Sequence, residues 1–311
     1  MLKHIDDYLL YLQTNNYSEE TIYNYERDLL IFENYLKDNK IIFEHLNKKD
    51  IEMFKAYLSS RDRKTPGALS PTEYKLLARS INRILSVIRS YIRYLIDMDC
   101  KYPLAPEAIK LVKTVKKHAQ VAELDDLVKL IESPTELEKN KIIGLRNRAM
   151  LELLFSTGMR ISELVNLKMI QIDNSGKIFI LGKGKKERFV YMTPRAFKYL
   201  NNYLKIRQNN SKYLFIPYRG LNSSVVDKKI SPNYLQMKIK QYREILHINV
   251  PTSAHSLRHG FATYLAESGA NPAAIQILLG HESLDTTTRY VHASDRYAEK
   301  THHKFHPLKN D

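Results

Sequence analysis

The sequence has few of the features that mark secreted, membrane or thiolate-metal proteins. Its single cysteine, Cys100, cannot form an internal disulfide, and it has no second thiol with which to build a thiolate zinc site. No uninterrupted apolar run reaches the roughly 18 residues typical of a membrane helix, and the N-terminus lacks the charged, apolar and small-residue order of a signal peptide. No internal repeat or low-complexity tract is present. We therefore expect a soluble, cytoplasmic protein.

The chain carries a large surplus of positive charge, most of it in the second half. The 49 Lys and Arg exceed the 34 Asp and Glu, giving a formal net charge of +15. Residues 1–110 hold 17 basic and 16 acidic side chains, so residues 111–311 hold 32 and 18. Such a surplus is typical of proteins that bind a polyanion or an anionic membrane surface. With 311 residues, 43% of them apolar, the chain is long enough for two globular domains.

The first hundred residues show helical periodicity with few glycines and no convincing alternating segment, which predicts a small all-helical bundle. One predicted helix carries six apolar residues on a single face, namely Ile81, Ile84, Leu85, Ile88, Ile92 and Leu95. Its arginines are displaced from that face: Arg79, Arg83, Arg89 and Arg93. This basic stripe predicts contact with a polyanion, and the alternative is the solvated basic face of an ordinary bundle helix.

The two halves are separated by Pro103 and Pro106, which stop the helical pattern, and by a basic stretch to residue 120 that is short of large apolar residues. We therefore predict a helical domain at 1–100, a linker at 101–120 and a second domain at 121–311. The second domain is mostly helical, with helices expected near 195–207, 232–246 and 256–304. Its one strong strand signal is a hairpin of residues 177–181 and 188–192. The predicted fold class is mainly α with a small antiparallel β-sheet.

Arg160 follows a break in an apolar helical run at Ser156, Thr157 and Gly158. A turn there would place Arg160 at the N-terminus of the next helix, where backbone N–H groups also favour an anion. A guanidinium in that position can bind a phosphate through two oxygens. The alternative is an ordinary exposed arginine at a helix start.

Lys183 and Lys185 lie in the predicted hairpin tip. The run lacks the G-x-x-x-x-G-K-[ST] spacing of a nucleotide-binding loop and joins two strands instead of a strand and a helix. A lysine on such a tip can protonate a leaving oxygen if its pKa is lowered. The alternative is a solvated basic turn.

His255 and Arg258 open a predicted helix that is capped by Thr252 or Ser253 and ends near Gly269. Their three-residue spacing places them on one face, away from the apolar residues of the helix, where they would project toward a ligand. His259 raises the alternative of a metal pair with His255. That pair needs a third ligand and lacks the glutamate of an H-E-x-x-H motif, so no metal site is predicted.

His281 follows a further predicted helix that starts at Asn271 and Pro272 and ends at Gly280. A histidine directly after a glycine cap is held in a defined place and remains exposed, although it is also the ordinary partner of a helix dipole. Tyr290 follows nine residues later. Composition alone cannot select it from 21 tyrosines.

Four segments resemble the motif regions of the tyrosine recombinase and integrase family. They are TGMRISEL at 157–164, LGKGKKER at 181–188, HSLRHGFATYL at 255–265 and LLGHESLDTTTRYVH at 278–292. The predicted helix SINRILSVIRSYIRYL at 80–95 is similar to the SAM-like core-DNA-binding domain of the Xer recombinases. The resemblance covers nearly the whole chain and implies a two-domain, C-shaped clamp around duplex DNA.

The resemblance also implies a role for each motif residue. Tyr290 would attack the scissile phosphate and form a 3′-phosphotyrosyl link. Arg160 and Arg258 would neutralise the non-bridging oxygens, and Lys183 would protonate the leaving 5′ oxygen. His255 would assist proton transfer at Tyr290, and His281 would hydrogen-bond the phosphate. The residues expected to contact DNA outside the reaction are Arg79, Arg83, Arg89, Arg93, Lys185 and Arg188.

The implied activity is site-specific DNA recombination through a Holliday junction, without metal, ATP or other cofactor. The family acts as a tetramer on two DNA sites, so we expect a homo-tetramer or a pairing with a second recombinase, in the cytoplasm and associated with the nucleoid. An Xer-type role in resolving chromosome or plasmid dimers, linked to chromosome partition and cell division, is the main interpretation. Yet residues 219–233 lack the threonine, arginine and glutamine pattern expected of the best-known Xer pair, which puts control by a DNA translocase in doubt.

Three alternatives remain. An integrase or excisionase of a mobile element would use the same chemistry for a different purpose. A type IB topoisomerase would also use a tyrosine, but the Xer-like N-terminal helix argues against it. A non-catalytic DNA-binding protein would explain the charge and not the six motif positions. The resemblance also implies a C-terminal helix that docks on a neighbouring subunit. The tail at 293–311 contains Tyr297, Phe305 and Leu308, which fit that role, and the alternative is a frayed basic terminus.

Overall fold

The computed structural model describes residues 2–60, 75–114, 121–173, 175–181, 187–220, 223 and 227–280. The chain divides into two compact units, Met1–Lys117 and His118–Asp311. Within the described ranges the chain is mostly helical, and a two-stranded antiparallel sheet is its only sheet, as predicted. None of the helices described is both long and apolar enough to cross a membrane.

The described residues of the first unit form a bundle of four α-helices. They are α1 (Ile5–Thr14), α2 (Glu19–Asp38), α3 (Lys48–Ser59) and α4 (Ala78–Asp97), with 3-10 turns at Phe43–His45 and Pro106–Ala108. Local sequence sets where two of these helices begin. The Ser18 hydroxyl caps α2, and Asn47 forms a capping box with Asp50 at the start of α3.

Helix α4 supplies much of the core of this unit. All six apolar residues predicted to share one face are at most 3% exposed. Tyrosines add to this core: the ring of Tyr8 lies 5.5 Å from that of Tyr91 and 5.2 Å from that of Tyr94. Edge-to-face and tilted contacts of this kind stabilise aromatic clusters.

The structure differs from the prediction of a linker at 101–120. Ile109 is fully buried in the core of the first unit, and Asn82 of α4 exchanges two hydrogen bonds with the backbone of Val112, at 2.9 and 2.7 Å. The two prolines stop an α-helix but do not prevent the extended chain from packing. Residues 101–114 therefore belong to the first unit, and residues 115–120 lie outside the described ranges.

The second unit contains eight α-helices and the hairpin in its described ranges. The helices are α5 (Leu124–Glu132), α6 (Pro134–Leu137), α7 (Lys141–Thr157), α8 (Ile161–Asn166), α9 (Pro194–Leu204), α10 (Pro232–Ile245), α11 (Ala254–Glu267) and α12 (Pro272–Leu279). Helix α7 lies at the centre and packs against α6, α9 and α11.

Because α7 is buried on nearly every side, its polar side chains must be paired. Arg148, 3% exposed, donates a 2.9 Å hydrogen bond to Glu152. Arg195 of α9 donates to the same carboxylate, and Glu132 of α5 accepts from both arginines, at 3.1 and 2.9 Å. This network joins three helices.

The hairpin consists of β1 (Lys177–Leu181) and β2 (Glu187–Tyr191), paired from Lys177 with Tyr191 to Leu181 with Glu187. The first strand is as predicted, and the second begins and ends one residue earlier than 188–192. Alternate residues Ile178, Ile180 and Val190 face the core. The tip, residues 182–186, lies outside the described ranges.

Candidate active site

A glycine turn places Arg160 at the start of a helix, as predicted. Helix α7 ends at Gly158, whose φ of 62° lies in the left-handed region, and Arg160 occupies the cap position of α8. The Arg160 side chain is 37% exposed. This side chain is thus partly open to solvent.

Glu163, which the sequence analysis did not single out, fixes this arginine. Its carboxylate accepts a 2.7 Å hydrogen bond from the Arg160 backbone N–H and a 3.1 Å bond from the Arg160 guanidinium. Burial alone would raise the pKa of Glu163. Hydrogen bonds from Arg188 and from the Arg160 backbone outweigh burial and hold that pKa below its usual value. Glu163 is therefore an anion beside Arg160.

Arg188 was predicted to contact DNA, and the structure places it elsewhere. Its side chain is 7% exposed and donates to both oxygens of Glu163, at 2.9 and 2.8 Å. Its Nε donates to the carbonyl oxygen of Leu278 at 2.9 Å. All three guanidinium nitrogens are bound within the protein, so direct contact with DNA does not fit this geometry.

Helix α11 holds the second predicted arginine. Ser253 caps the helix, in agreement with one of the two predicted caps. Arg258 is 3% exposed, and its guanidinium donates to the carbonyl oxygens of Gly158, at 2.8 Å, and Leu279, at 2.7 Å. Sequence placed Arg258 on a ligand-facing surface and did not foresee its burial. The two carbonyl bonds fix this cation between the Gly158 turn and the end of α12.

His255, in the first turn of α11, is exposed. Partial burial lowers its pKa, and the nearby charges of Arg258 and then Arg160 lower it further. Both arginines therefore lie within electrostatic reach of His255. The neutral imidazole that results can accept a proton.

The alternative of a metal pair receives no support from the described part of the chain. The rings of His255 and His259 meet edge to face with centroids 5.3 Å apart. Burial lowers the pKa of His259, and the charges of His255 and Arg258 add to this effect. No group of three or more His, Cys, Asp or Glu in the described ranges is placed to hold a metal ion.

Helix α12 begins and ends as the sequence predicted. Asn271 caps this helix, Pro272 occupies its first turn, and Gly280 ends it with a φ of 63°, as predicted. The carbonyl groups of Leu278 and Leu279 are bound by Arg188 and Arg258. The residue that follows Gly280 is His281. The predicted site residues Lys183, Lys185, His281 and Tyr290 lie outside the described ranges.

The basic stripe of α4 is more varied than the sequence indicated. Arg79, Arg83 and Arg93 are exposed, whereas Arg89 is only partly exposed. Arg83 pairs with Asp28 of α2, whose side chain is fully buried. Burial raises the pKa of Asp28, and the hydrogen bond and charge of Arg83 oppose this rise. Arg93 pairs with an exposed carboxylate of Glu107 at 3.2 Å.

Two family models match the chain. The model described as the phage integrase family matches residues 120–296, and the model described as the phage integrase N-terminal SAM-like domain matches residues 5–98. The tyrosine recombinases XerD of Staphylococcus epidermidis and Staphylococcus aureus are each 33% identical to the chain, over 97% of its length and 98% of theirs.

Solved structures with the same fold include complexes with DNA. XerH site-specific recombinase bound to a palindromic difH substrate superposes with a TM-score of 0.68 at 22% identity, covering 91% of this chain and 79% of that one. The Tn1549 transposon integrase in complex with a circular intermediate DNA gives a TM-score of 0.71 at 16% identity, covering 98% and 99%. With both family models matched and XerD relatives similar from end to end, the chain belongs to the phage integrase family as a tyrosine recombinase of the Xer type.

Proposed function

We propose that this site-specific recombinase cuts one DNA strand with Tyr290, holds it as a 3′-phosphotyrosyl intermediate, and rejoins strands through a Holliday junction. The observation that carries the proposal is the convergence of Arg160, Arg258 and His255 beside the Gly158 turn. Arg160 comes from one motif segment, whereas His255 and Arg258 come from another. Together the three residues supply two fixed cations and a neutral base.

The two arginines are suited to stabilise charge on a pentacoordinate phosphate. Arg258 is fixed by two carbonyl groups, and Arg160 is oriented by Glu163 while its side chain stays 37% exposed. Donors that are already oriented need no reorganisation when charge develops, which is how electrostatic preorganisation lowers a barrier. In this way the arginines do the charge work that a metal ion does in other phosphoryl-transfer sites.

His255 is suited to proton transfer at the nucleophile. A free tyrosine has a pKa of about 10, so its hydroxyl needs a base to become a good nucleophile near neutral pH. The lowered pKa of His255 keeps its imidazole neutral and able to accept that proton. We assign Lys183 as the acid for the leaving 5′ oxygen and His281 as a donor to the phosphate, from their motif positions.

We propose duplex DNA as the partner. It would be bound in the catalytic unit, with Lys185 assigned from its motif position, and by Arg79, Arg83 and Arg93 of α4, with Arg89 on the same helix. The solved relatives of this fold include recombinases on DNA. Since phosphate contacts would supply much of the affinity, binding should weaken steeply with salt. Assembly as a tetramer on two sites, alone or with a second recombinase, and a cytoplasmic, nucleoid-associated location complete the proposal.

Similarity to XerD along the whole chain favours resolution of chromosome or plasmid dimers, in step with chromosome partition and the cell cycle, over integration or excision of a mobile element. A recombinase of this kind exchanges one phosphodiester for another, so its reaction should proceed in EDTA and without ATP.

Covalent trapping tests the proposal. The protein is incubated with fragmented DNA from its own source, in EDTA, then denatured, and attached DNA is recovered and sequenced. We expect an adduct that maps to Tyr290 and a common DNA sequence, with no adduct from Tyr290→Phe and much less from Arg160→Ala. An adduct that persists in Tyr290→Phe, or DNA binding with no adduct even on nicked substrates that trap the intermediate, would contradict it.

A further inference from the structure

The Glu163 cluster, which consists of Glu163, Arg160 and Arg188, contains two cations on one carboxylate. Arg188 holds both carboxylate oxygens, at 2.9 and 2.8 Å, whereas the Arg160 guanidinium reaches one oxygen at 3.1 Å. The Glu163 side chain is 6% exposed and that of Arg188 is 7% exposed, so water screens this pair only weakly. The two arginines thus share the carboxylate unequally.

This unequal sharing matters because Glu163 has two opposing effects on Arg160. It orients the arginine through the helix cap, and it also attracts the positive charge that a phosphate would need. A carboxylate with no other counter-ion would bind a neighbouring guanidinium through both oxygens, since the bidentate pair is the strongest such contact. Arg188 already occupies that bidentate position.

We propose that Arg188 is a positioning residue for DNA cleavage, which saturates the Glu163 carboxylate so that Arg160 stays oriented but available to the scissile phosphate. The inference rests on the proposed role of Arg160. It replaces the sequence-based expectation that Arg188 itself contacts DNA.

Arg188 also connects other parts of the site. It lies on β2, the strand that follows the hairpin tip, and its Nε binds the Leu278 carbonyl near the end of α12. A Cβ at Gly280 would lie 3.0 Å from the Arg188 Cδ and 3.3 Å from its Nε, so glycine leaves room for this side chain. One guanidinium therefore ties β2 and the end of α12 to the helix that begins at Arg160.

The test is a charge-balance cycle with Arg188→Met, Glu163→Gln and the double variant. The substrate is a nicked duplex that carries the sequence recovered by covalent trapping, and the readout is the single-turnover rate of adduct formation. Affinity for the same duplex is measured in a Tyr290→Phe background, where cleavage is blocked. Thermal melting of each variant identifies a temperature at which all are folded.

Arg188→Met should slow cleavage about 100-fold, the scale of a misplaced catalytic group, while affinity changes less than about twofold. Adding Glu163→Gln removes the charge that captures Arg160, so the double variant should cleave about tenfold faster than Arg188→Met alone. Arg188→Lys, which keeps the charge and loses the bidentate geometry, should fall between the wild type and Arg188→Met.

Two results would overturn the inference. A double variant that cleaves no faster than Arg188→Met would show that Arg188 acts only through packing. Weaker binding by Arg188→Met, with the salt dependence reduced by about one phosphate contact, would show that Arg188 touches DNA after all. The proposed function fails separately, if Arg160→Ala in the wild-type background leaves the cleavage rate unchanged.

Discussion

Substituting Gly158 by alanine should disturb both stability and cleavage, because this glycine is constrained in two ways. Its φ of 62° is unfavourable for a residue with a Cβ, and an added Cβ would lie 2.3 Å from the Cδ1 atom of the Phe261 ring. Its carbonyl oxygen also accepts a hydrogen bond from Arg258. A backbone shift that relieves the clash would therefore move a proposed phosphate ligand.

The magnitude follows from these two constraints. A left-handed conformation costs roughly 1–2 kcal/mol in an L-residue, and forcing atoms into a packed site costs about 1–3 kcal/mol. We expect Gly158→Ala to lower the free energy of unfolding of the second unit by about 3 kcal/mol, and its Tm by about 9 °C for a unit of this size. Cleavage should fall further than the loss of folded protein explains.

Gly269 provides a matched control. Its φ of 87° is also positive, but an added Cβ would meet nothing within 4 Å. Gly269→Ala should thus cost only the conformational part, about 1 kcal/mol. In a Phe261→Leu background, Gly158→Ala should approach the same small cost. Urea unfolding of the four variants measures these differences, and equal losses for Gly158→Ala and Gly269→Ala would refute the reasoning.

Three further outcomes are expected. The cleavage rate should fall with acidification only below the ordinary histidine pKa of 6.5, because the neutral form of His255 is the base, and burial and then the neighbouring arginines lower its pKa. This acidic limb should be absent from the residual activity of His255→Asn. Burial raises the pKa of Asp28, so the folded state binds that proton more tightly than the unfolded state, and stability relative to Asp28→Asn should rise as the pH falls toward 3.8. Urea unfolding between pH 7 and about 4 checks this sign, and Arg83→Ala, which removes the counter-ion, should steepen the dependence. Glu152→Gln should lower the free energy of unfolding by about 3–5 kcal/mol, because it leaves the buried Arg148 without its main partner. If urea unfolding shows a decrease below about 1 kcal/mol, the ion-pair network around Arg148 contributes little to stability.

Most of the helices and strands could be predicted from the sequence because the residues that determine them lie close together in the chain. The apolar face of α4, the asparagine and proline that start α12, and the first hairpin strand each follow from residues a few positions apart. The position of Arg160 at a helix start was predictable for the same reason. Arg160 and Glu163 have the three-residue spacing of a capping box. This spacing was the signal by which Glu163 could have been predicted as the partner of Arg160, and composition and charge counts did not reveal it.

The partners of the buried arginines could not be predicted in this way. A guanidinium binds phosphate, carboxylate or backbone carbonyl groups with similar geometry, and only the fold decides which one is present. In the structure Arg188 binds a carboxylate, and Arg258 binds two carbonyl groups from distant parts of the chain. The packing of Ile109 was missed because Pro103 and Pro106 end the helical pattern, and the basic stretch that follows them is typical of a linker.

Because residues 101–114 pack on the first unit, a fragment of this unit that keeps its core covered must extend to residue 114. A fragment cut at residue 98, where the N-terminal family match ends, would remove Ile109 and open an apolar groove in the bundle. It would also leave the side chain of Asn82 without both of its backbone partners at Val112. A fragment that continues to residue 114 retains this covering segment, so it should stay monomeric at concentrations where the shorter one aggregates.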